Sequence, residues 1–145
     1  MLQIEVRPIP LNETRPLRRE VLRPHQTLEE LASHEPAGSV AFGAFDGEKL
    51  VAVGLVGREG EEAGDWRVRG MATKPHARGR GAGTRVLQAL VQYAVDHGAI
   101  RVWCNARTRA RTLYEREGFV VASEEFEPPD IGPHYRMELP VAARH

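Results

Sequence analysis

The residues with the clearest chemical potential form a glycine-rich loop between a strand-like run and an amphipathic helix. The loop consists of Arg78, Gly79, Arg80, Gly81, Ala82, Gly83 and Thr84. Because glycine lacks a side chain and readily adopts positive φ, several backbone N–H groups of such a loop can converge on one anion. The N-terminus of the next helix adds further N–H groups and its dipole, and Arg78 and Arg80 can add charge-assisted hydrogen bonds. The spacing therefore predicts a phosphate-binding loop.

Two other phosphate-binding patterns fit this loop less well. A P-loop needs a lysine directly after its last glycine, and no lysine follows these glycines. A dinucleotide fingerprint needs a third glycine, but the chain carries Arg85 at about that place, and 78 residues precede Gly79 instead of a single strand. The remaining alternative is an ordinary glycine-rich turn.

Composition limits the classes of function. The 145 residues fit one domain, 1–145, and the 20 basic and 20 acidic side chains give a net charge of zero, which argues against a general nucleic-acid binder. The single cysteine excludes an intrachain disulfide, and the six histidines lack the spacing of metal ligands, so we expect no metal. We find no signal peptide and no apolar run of about 20 residues, so we expect a cytoplasmic protein that does not bind membranes.

Hydrophobic periodicity predicts the elements that position the loop. Pro16 is placed at the first position of the first helix, Thr27 and Glu30 in a capping box, Asp46-Gly47 in a hairpin turn and Thr108 at the cap of the last helix. The predicted strands span 2–6, 40–45, 50–56, 66–72, 100–105, 119–126 and 135–139, and the predicted helices span 16–22, 28–32, 86–95 and 108–118.

The motif Arg78-x-x-Gly81-x-Gly83 after a strand, together with this order of elements, resembles the GCN5-related N-acetyltransferases. The resemblance covers nearly the whole chain and is most specific from Trp66 to Met137. It implies a mixed α/β (α+β) acyl-CoA N-acyltransferase fold, with a central, mostly antiparallel sheet flanked by helices and a splayed central strand pair. It also implies that residues 78–84 hold the pyrophosphate of acetyl-CoA.

The same resemblance assigns further coenzyme contacts. In the family, the strand before the loop carries a bulge and pairs with the pantetheine arm, which implies this role for Met71, Ala72 and Thr73; the alternative is an ordinary core strand. Many members carry Asn three residues before the position of Ala110, where this chain has Arg107. Asn105 lies nearby and is assigned to the pantetheine or the acceptor, and Ala110 is assigned to the coenzyme. Arg107 is a candidate for a coenzyme phosphate.

Tyr114 is the first candidate catalytic residue. The segment Ala110-x-x-Leu113-Tyr114-Glu115-x-x-Gly118-Phe119 is similar to a family segment in which this tyrosine serves as general acid. A free phenol has a pKa of ~10 and a thiol ~8.5, so Tyr114 would stabilise a departing thiolate more than protonate it. The alternative is a core aromatic residue.

His134 is the candidate general base, because a free imidazole has a pKa of ~6.5 and the residue follows the rigid loop 128–133. The segment from Ile131 to Met137 is similar to a subgroup of uncharacterised acetyltransferases. A glutamate or a chain of waters remains an alternative base. Cys104 alternates with core positions and is interpreted as a packing residue.

The acceptor is the least defined part of the prediction. Arg18, Arg19 and Arg23 near the first helix, or Arg67 and Arg69 on the central strand, are candidates for binding an acidic acceptor, and solvated arginines are the alternative. We expect an acetyl-CoA-dependent N-acetyltransferase that acts on a primary amine of a small molecule or peptide by direct attack in a ternary complex, as a monomer or homodimer. The alternative functions are a catalytically silent acyl-CoA-binding sensor or partner module and a nucleotide-phosphate binder unrelated to coenzyme A.

Overall fold

A computed structural model describes residues 3–129 and 131–141. The strands are β1 Ile4–Ile9, β2 Val40–Asp46, β3 Lys49–Arg58, β4 Asp65–Thr73, β5 Arg101–Arg107, β6 Val120–Val121 and β7 His134–Pro140. The α-helices are α1 Leu11–Leu22, α2 Leu28–Ser33, α3 Ala82–Asp96 and α4 Arg111–Arg116, with 3₁₀ turns at Pro75–Ala77 and Thr108–Ala110. No helix of this part of the chain is both long and apolar enough to cross a membrane.

All seven strands form one sheet in the order β1-β2-β3-β4-β5-β7-β6. Every neighbouring pair is antiparallel except β4 and β5, which are parallel. The mixed α/β architecture with a mostly antiparallel sheet is therefore confirmed.

The central parallel pair separates after a few residues. Asp65–Arg67 of β4 pair with Arg101–Trp103 of β5, and no pairing between the two strands follows in the described residues. β5 keeps its pairing with β7 from Arg101 to Arg107, so the gap opens between β4 and β5. The expected splayed pair is present, and it leaves a cleft in the middle of the sheet.

A β-bulge bends β4 beside this cleft. Val53 lies opposite Ala72 and Leu55 lies opposite Arg69, so Gly70 and Met71 share the space opposite one residue of β3. Gly70 has a φ of +63°, a left-handed conformation that favours glycine. The bulge that the resemblance implied in the strand before the glycine loop therefore lies at Gly70.

The two faces of the sheet are covered by different helices. On one face, Leu17 of α1 packs against Val53 and Ala72. On the other face, α3 buries its apolar stripe, and a Cβ atom built on Gly54 would lie 2.5 Å from Met71 Sδ and 2.7 Å from Leu90 Cδ1. Because successive strand residues point to opposite faces, these contacts place α1 and α3 on opposite sides of the cleft.

Two locally encoded predictions are confirmed. Thr27 accepts a hydrogen bond from the Glu30 N–H, and the Glu30 carboxylate accepts one from the Thr27 N–H, which completes the capping box. Asp46 pairs with Lys49 across a tight turn in which Gly47 has a φ of +62°.

Several boundary predictions are wrong, including the end of β1, which continues through Pro8 to Ile9. Helix α1 begins at Leu11 after Pro10, so Pro16 lies inside the helix, where burial of Leu17 outweighs the backbone hydrogen bond that proline removes. The hydroxyl of Thr108 donates to Glu125 and caps no helix, and α4 begins only at Arg111.

The predicted strand 119–126 is a further error. It is reduced to β6 and an isolated bridge between Phe126 and His134. The hydroxyl of Ser123 accepts the Arg136 N–H that a continuous ladder would have given to a backbone carbonyl, and pairing with β7 is interrupted there.

Substitution of Gly70 tests the bulge. In Gly70→Ala, the added Cβ would lie 2.8 Å from Arg18 Nε and 3.0 Å from Leu55 Cδ2, whereas the same change at Gly38, which has a φ of +81°, meets nothing within 4 Å. Both variants carry a left-handed alanine, costing about 1–2 kcal/mol, but overpacking should cost Gly70→Ala about 1–3 kcal/mol more. Urea unfolding measures the difference, and equal losses would contradict a bulge that is held by its neighbours.

Candidate active site

The cleft between β4 and β5 opens into a cavity of about 550 Å³ that reaches from one face of the sheet to the other. Its walls come from the bulged strand, the end of β5, the C-terminus of α1, the start of the glycine loop and the region around α4. The residues that line it are Val21, Leu22, Arg23, Val68, Arg69, Gly70, Met71, Thr73, Arg78, Gly79, Asn105, Arg107, Arg109, Ala110, Leu113 and Tyr114.

The cavity brings together half of the residues that the sequence assigned to the site. These are Met71, Thr73, Arg78, Gly79, Asn105, Ala110 and Tyr114. The side chain of Ala72 points the other way and packs against Leu17 and Val53. The rest of the glycine loop leads into the N-terminus of α3 and lies beyond the cavity wall; it consists of Arg80, Gly81, Ala82, Gly83 and Thr84. His134 is buried outside the cavity lining.

The start of α3 has the features of an anion-binding site. Gly81 precedes the helix with a φ of +82°, and no atom lies within 4 Å of a Cβ built on it. The first α-helical hydrogen bond joins the Arg85 N–H to the Gly81 carbonyl, and the described residues provide no partner for the N–H groups of residues 81–84. The first turn holds no acidic side chain. Open space, free donors and the helix dipole together fit a phosphate group.

Two contacts fix the glycine loop against the sheet, one to β4 and one to β3. A Cβ on Gly83 would lie 3.0 Å from Thr73 Oγ1, so the absence of a side chain lets the first turn of α3 approach the end of β4. The N–H of Lys74 donates to the Val51 carbonyl and ties the chain between β4 and the loop to β3. The anion-binding turn is therefore fixed relative to the bulged strand.

Tyr114 lines the cavity from α4. Its side chain is largely buried and meets Phe119 edge to face, with 5.5 Å between ring centroids. Burial holds the pKa of the phenol well above its usual range, so the hydroxyl keeps its proton near neutral pH. No described residue forms a hydrogen bond with this hydroxyl, which leaves it able to donate to a group in the cavity.

His134 lies at the start of β7, directly opposite Arg107 of β5. It is 4 % exposed, and its Nδ1 lies 2.8 Å from the Gly132 carbonyl, which requires a proton on Nδ1 and leaves Nε2 as an acceptor. Burial lowers the pKa of the imidazole, and the nearby charges of Arg107 and Arg23 lower it further, against the opposing effect of the Gly132 hydrogen bond. The side chain is therefore neutral near pH 7.

Cys104 is confirmed as a packing residue. It is 2 % exposed within the core formed with α3, and burial raises the pKa of its thiol to about 12. A thiol that keeps its proton at neutral pH is a poor nucleophile.

The cavity is strongly cationic. Five of its lining residues are arginines, and none of the described lining residues is Asp or Glu. The five are Arg23, Arg69, Arg78, Arg107 and Arg109.

Some of the arginines that the sequence offered for an acidic acceptor are already neutralised. Glu59 accepts from Arg67 at 2.9 Å and from Arg69 at 2.7 Å. Arg18 is buried and bonded to Glu35, which also binds Arg15. No local feature of the sequence shows that the loop carrying Glu59 folds back over β4.

Arg23 and Arg107 have a different environment. Nη1 of Arg23 lies 3.1 Å, and Nη2 of Arg107 2.8 Å, from the same acceptor, the Leu22 carbonyl. Neither guanidinium has a carboxylate partner within residues 3–129 and 131–141.

Comparison with known proteins agrees with this geometry. The sequence model of the Acetyltransferase (GNAT) family matches residues 5–119. The uncharacterized N-acetyltransferase YitI of Bacillus subtilis (strain 168) is 31 % identical over 140 residues, which cover 92 % of this chain and 94 % of that protein.

Solved structures share the fold. The ribosomal-protein-S18-alanine N-acetyltransferase from Escherichia coli superposes with a TM-score of 0.76 at 17 % identity, covering 96 % of this chain and 94 % of that one. A chain of the NatC complex bound to Gag peptide and CoA gives a TM-score of 0.78 at 12 % identity, covering 96 % and 99 %. The chain therefore belongs to the GNAT acetyltransferase family and is an acyltransferase.

Proposed function

We propose that this single-domain protein transfers the acetyl group of acetyl-CoA to a primary amine of a small molecule or peptide, by direct attack in a ternary complex. The observation that carries the proposal is the cleft between β4 and β5. It runs from Arg78 and Gly79, which adjoin the anion-binding turn on the α3 face, to an arginine-lined opening on the α1 face. Two substrates can enter such a cleft from opposite faces and meet at its centre.

The coenzyme would lie on the α3 face. The N–H groups of residues 81–84, with Arg78 and Arg80, would bind the pyrophosphate. Beyond Arg67, β4 has lost its β5 partner, so backbone groups of Met71, Ala72 and Thr73 are open to pairing with the amides of pantetheine. Asn105 and Ala110 face the same cavity and would flank the arm.

The chemical step would need little from the protein beyond placement and polar contacts. The amine nitrogen attacks the thioester carbonyl, the carbon–sulfur bond breaks, the sulfur leaves as a thiolate and the new ammonium loses a proton. A backbone N–H of β4 would stabilise the oxyanion, and binding both substrates together supplies proximity. Tyr114, protonated and free of other partners, would donate a hydrogen bond to the departing sulfur.

The proton of the attacking amine needs an acceptor. His134 is our candidate because its Nε2 is unprotonated and its pKa is lowered. Since its side chain lies outside the cavity lining, a water molecule would have to relay the proton. A direct glutamate base is disfavoured, because no glutamate is found among the described residues that line the cavity.

Both acceptor classes have support. The E. coli neighbour is named for acetylating an alanine of a ribosomal protein, and the NatC complex was solved with a peptide, which supports a peptide amine. The cavity volume of about 550 Å³ is also within the range of small-molecule sites. We further propose a cytoplasmic location, where acetyl-CoA is the available acyl donor.

A catalytically silent acyl-CoA-binding module is the second candidate. It is favoured by one observation: no titratable base lines the cavity directly in the described residues. Such a module would use the glycine loop but would not need the hydroxyl of Tyr114, so the two functions differ in a measurable way.

The glycine loop is tested by the substitution Gly81→Val. CoA should raise the melting temperature of the wild-type protein, because it binds only the folded state, and NAD or ATP should do so far less. Gly81→Val should lose the CoA-dependent shift, because a side chain would stand where the backbone approaches phosphate. Gly98→Val is the matched control, since Gly98 ends the same helix with a φ of +93° and equally open space. Equal shifts in both variants would show that the loop is only a turn.

Tyr114→Phe separates the enzyme from the silent module. The variant keeps the contact with Phe119 and removes only the hydroxyl. A hydrogen bond that forms in the transition state should lower kcat, by up to about 10²–10⁴-fold if proton transfer is involved, with little change in CoA affinity. Tyr93→Phe, which removes a hydroxyl from the part-buried ring stacked on His97, is the control. Unchanged turnover in Tyr114→Phe would remove this residue from the mechanism.

His134 has a testable pH dependence. Its pKa is lowered on folding, so between that value and the unfolded value of about 6.5 the unfolded chain binds more protons and stability falls as pH falls. In His134→Gln, the midpoint of urea unfolding should depend less steeply on pH below about 6.5. If His134 also relays the proton, the variant should lose activity near neutral pH, where protonation of this histidine no longer affects the stability of the protein. Full activity at neutral pH would leave the histidine a structural role only.

A further inference from the structure

We propose that the acceptor carries an oxyanion, a carboxylate or a phosphate, in addition to its amine, and that Arg23 and Arg107 bind this group. The proposal rests on the proposed function and names the substrate class of the same cleft. It is based on the position, the unused hydrogen-bonding capacity and the uncompensated charge of these two side chains.

The two arginines come from distant parts of the chain and meet at one atom. Arg23 follows the last turn of α1, and Arg107 ends β5. Their guanidinium groups both donate to the carbonyl oxygen of Leu22, at 3.1 and 2.8 Å, and both side chains line the cavity. The shared carbonyl therefore holds two guanidinium groups side by side at the α1 end of the cleft.

Most of their donors remain available. Each guanidinium carries five N–H groups, and apart from these two bonds to Leu22 the structure records no hydrogen bond from either side chain to a described residue. Planar forks of this kind match carboxylate and phosphate oxygens in pairs. The pair thus provides the hydrogen-bond donors that an oxyanion site needs, and most of these donors are free to bind an anion.

The pair also has no carboxylate partner in the part of the chain that the structure describes. Arg18, Arg67 and Arg69 on the same side of the sheet each have a glutamate partner. Among the described residues, only the Leu22 carbonyl at the C-terminal end of α1 offsets the charge of Arg23 and Arg107. Burial lowers the pKa of Arg107, and the charges of Arg23 and Arg109 lower it further. Two half-buried like charges are held together at a cost that a bound anion would relieve.

The location assigns this anion to the acceptor. The coenzyme phosphates would lie at the N-terminus of α3, whereas Arg23 extends α1, which packs on the opposite face. Arg107 stands directly opposite His134 in the sheet, so an oxyanion held by the pair would bring its amine to the side of the cleft where the candidate base lies. The competing role for the pair is to bind a phosphate of the coenzyme.

Matched amines that differ in charge test the proposal. The pairs are 4-aminobutyrate with 4-aminobutanamide, O-phosphoethanolamine with ethanolamine, and the dipeptide amides Ala-Glu and Ala-Gln, assayed by thiol release from acetyl-CoA. We expect the anionic member of at least one pair to have a kcat/KM about tenfold higher or more. The carboxylate and phosphate pairs show which oxyanion is preferred.

Variants then assign the preference to the two arginines. Arg23→Gln and Arg107→Gln should each remove most of it by raising the acceptor KM, with the KM for acetyl-CoA unchanged. Arg107→Lys should keep part of the preference for anionic amines, because the positive charge remains although the planar guanidinium is lost. Arg116→Gln is the charge-matched control on an exposed position of α4. Circular dichroism and melting curves identify any variant that fails to fold.

A binding measurement keeps the test independent of turnover. With CoA saturating, the N-acetylated form of the preferred anionic amine should raise the wild-type melting temperature more than its neutral counterpart does. The proposal is overturned if neutral amines react and bind as well as the anionic ones. It is also overturned if the variants raise only the KM for acetyl-CoA, or if the wild-type protein binds none of these anions. Failure of the proposed function itself would give a different result. CoA would then not stabilise the protein, and no amine would release CoA from acetyl-CoA.

Discussion

The loss of pairing between β4 and β5 is the constraint on which the rest of the site depends. Backbone donors and acceptors in a sheet must be satisfied, and a parallel pair that ends after Arg67 leaves one edge of β4 without a partner. The bulge at Gly70 lets β4 bend away from β5, and the buried Arg18 fills the space beside this glycine. A continuous sheet would have no cavity. The opening is therefore built into the strand register before any functional side chain is placed.

The opening divides the molecule electrostatically as well as sterically. On the α3 face, positive potential comes from backbone N–H groups at a helix N-terminus together with Arg78 and Arg80, and on the α1 face it comes from guanidinium groups alone. Most of the buried guanidiniums are neutralised by Glu35 and Glu59, which makes them structural. Arg23 and Arg107 differ from these paired arginines, because within the described residues the fold leaves them a single shared carbonyl.

Sequence reasoning succeeded where the determinants are local. The capping box of Thr27 and the hairpin turn at Gly47 each depend on neighbouring residues and were predicted correctly. The glycine loop was predicted before α3 for the same reason. Pro16 misled the prediction of α1, since tertiary burial of Leu17 overrides a local helix signal. Strand β6 was overextended, because hydrophobicity alone does not show that Ser123 replaces a backbone acceptor.

The acceptor side could not be predicted because its contacts join residues far apart in the sequence. Arg107 reaches the carbonyl of Leu22 across 85 positions, and no periodicity encodes a contact of this kind. The protonation states of Tyr114 and His134 also depend on burial in the folded protein, so the sequence alone does not predict them. Burial raises the pKa of Tyr114 and lowers that of His134, so the phenol keeps its proton and the imidazole stays neutral. Tyr114 belongs to the core on the α3 face, whereas His134 shares a face with Arg107. Under the proposed function, the leaving sulfur and the attacking amine would meet different groups on different faces. Direct transfer, in which one substrate approaches from each side, requires this separation.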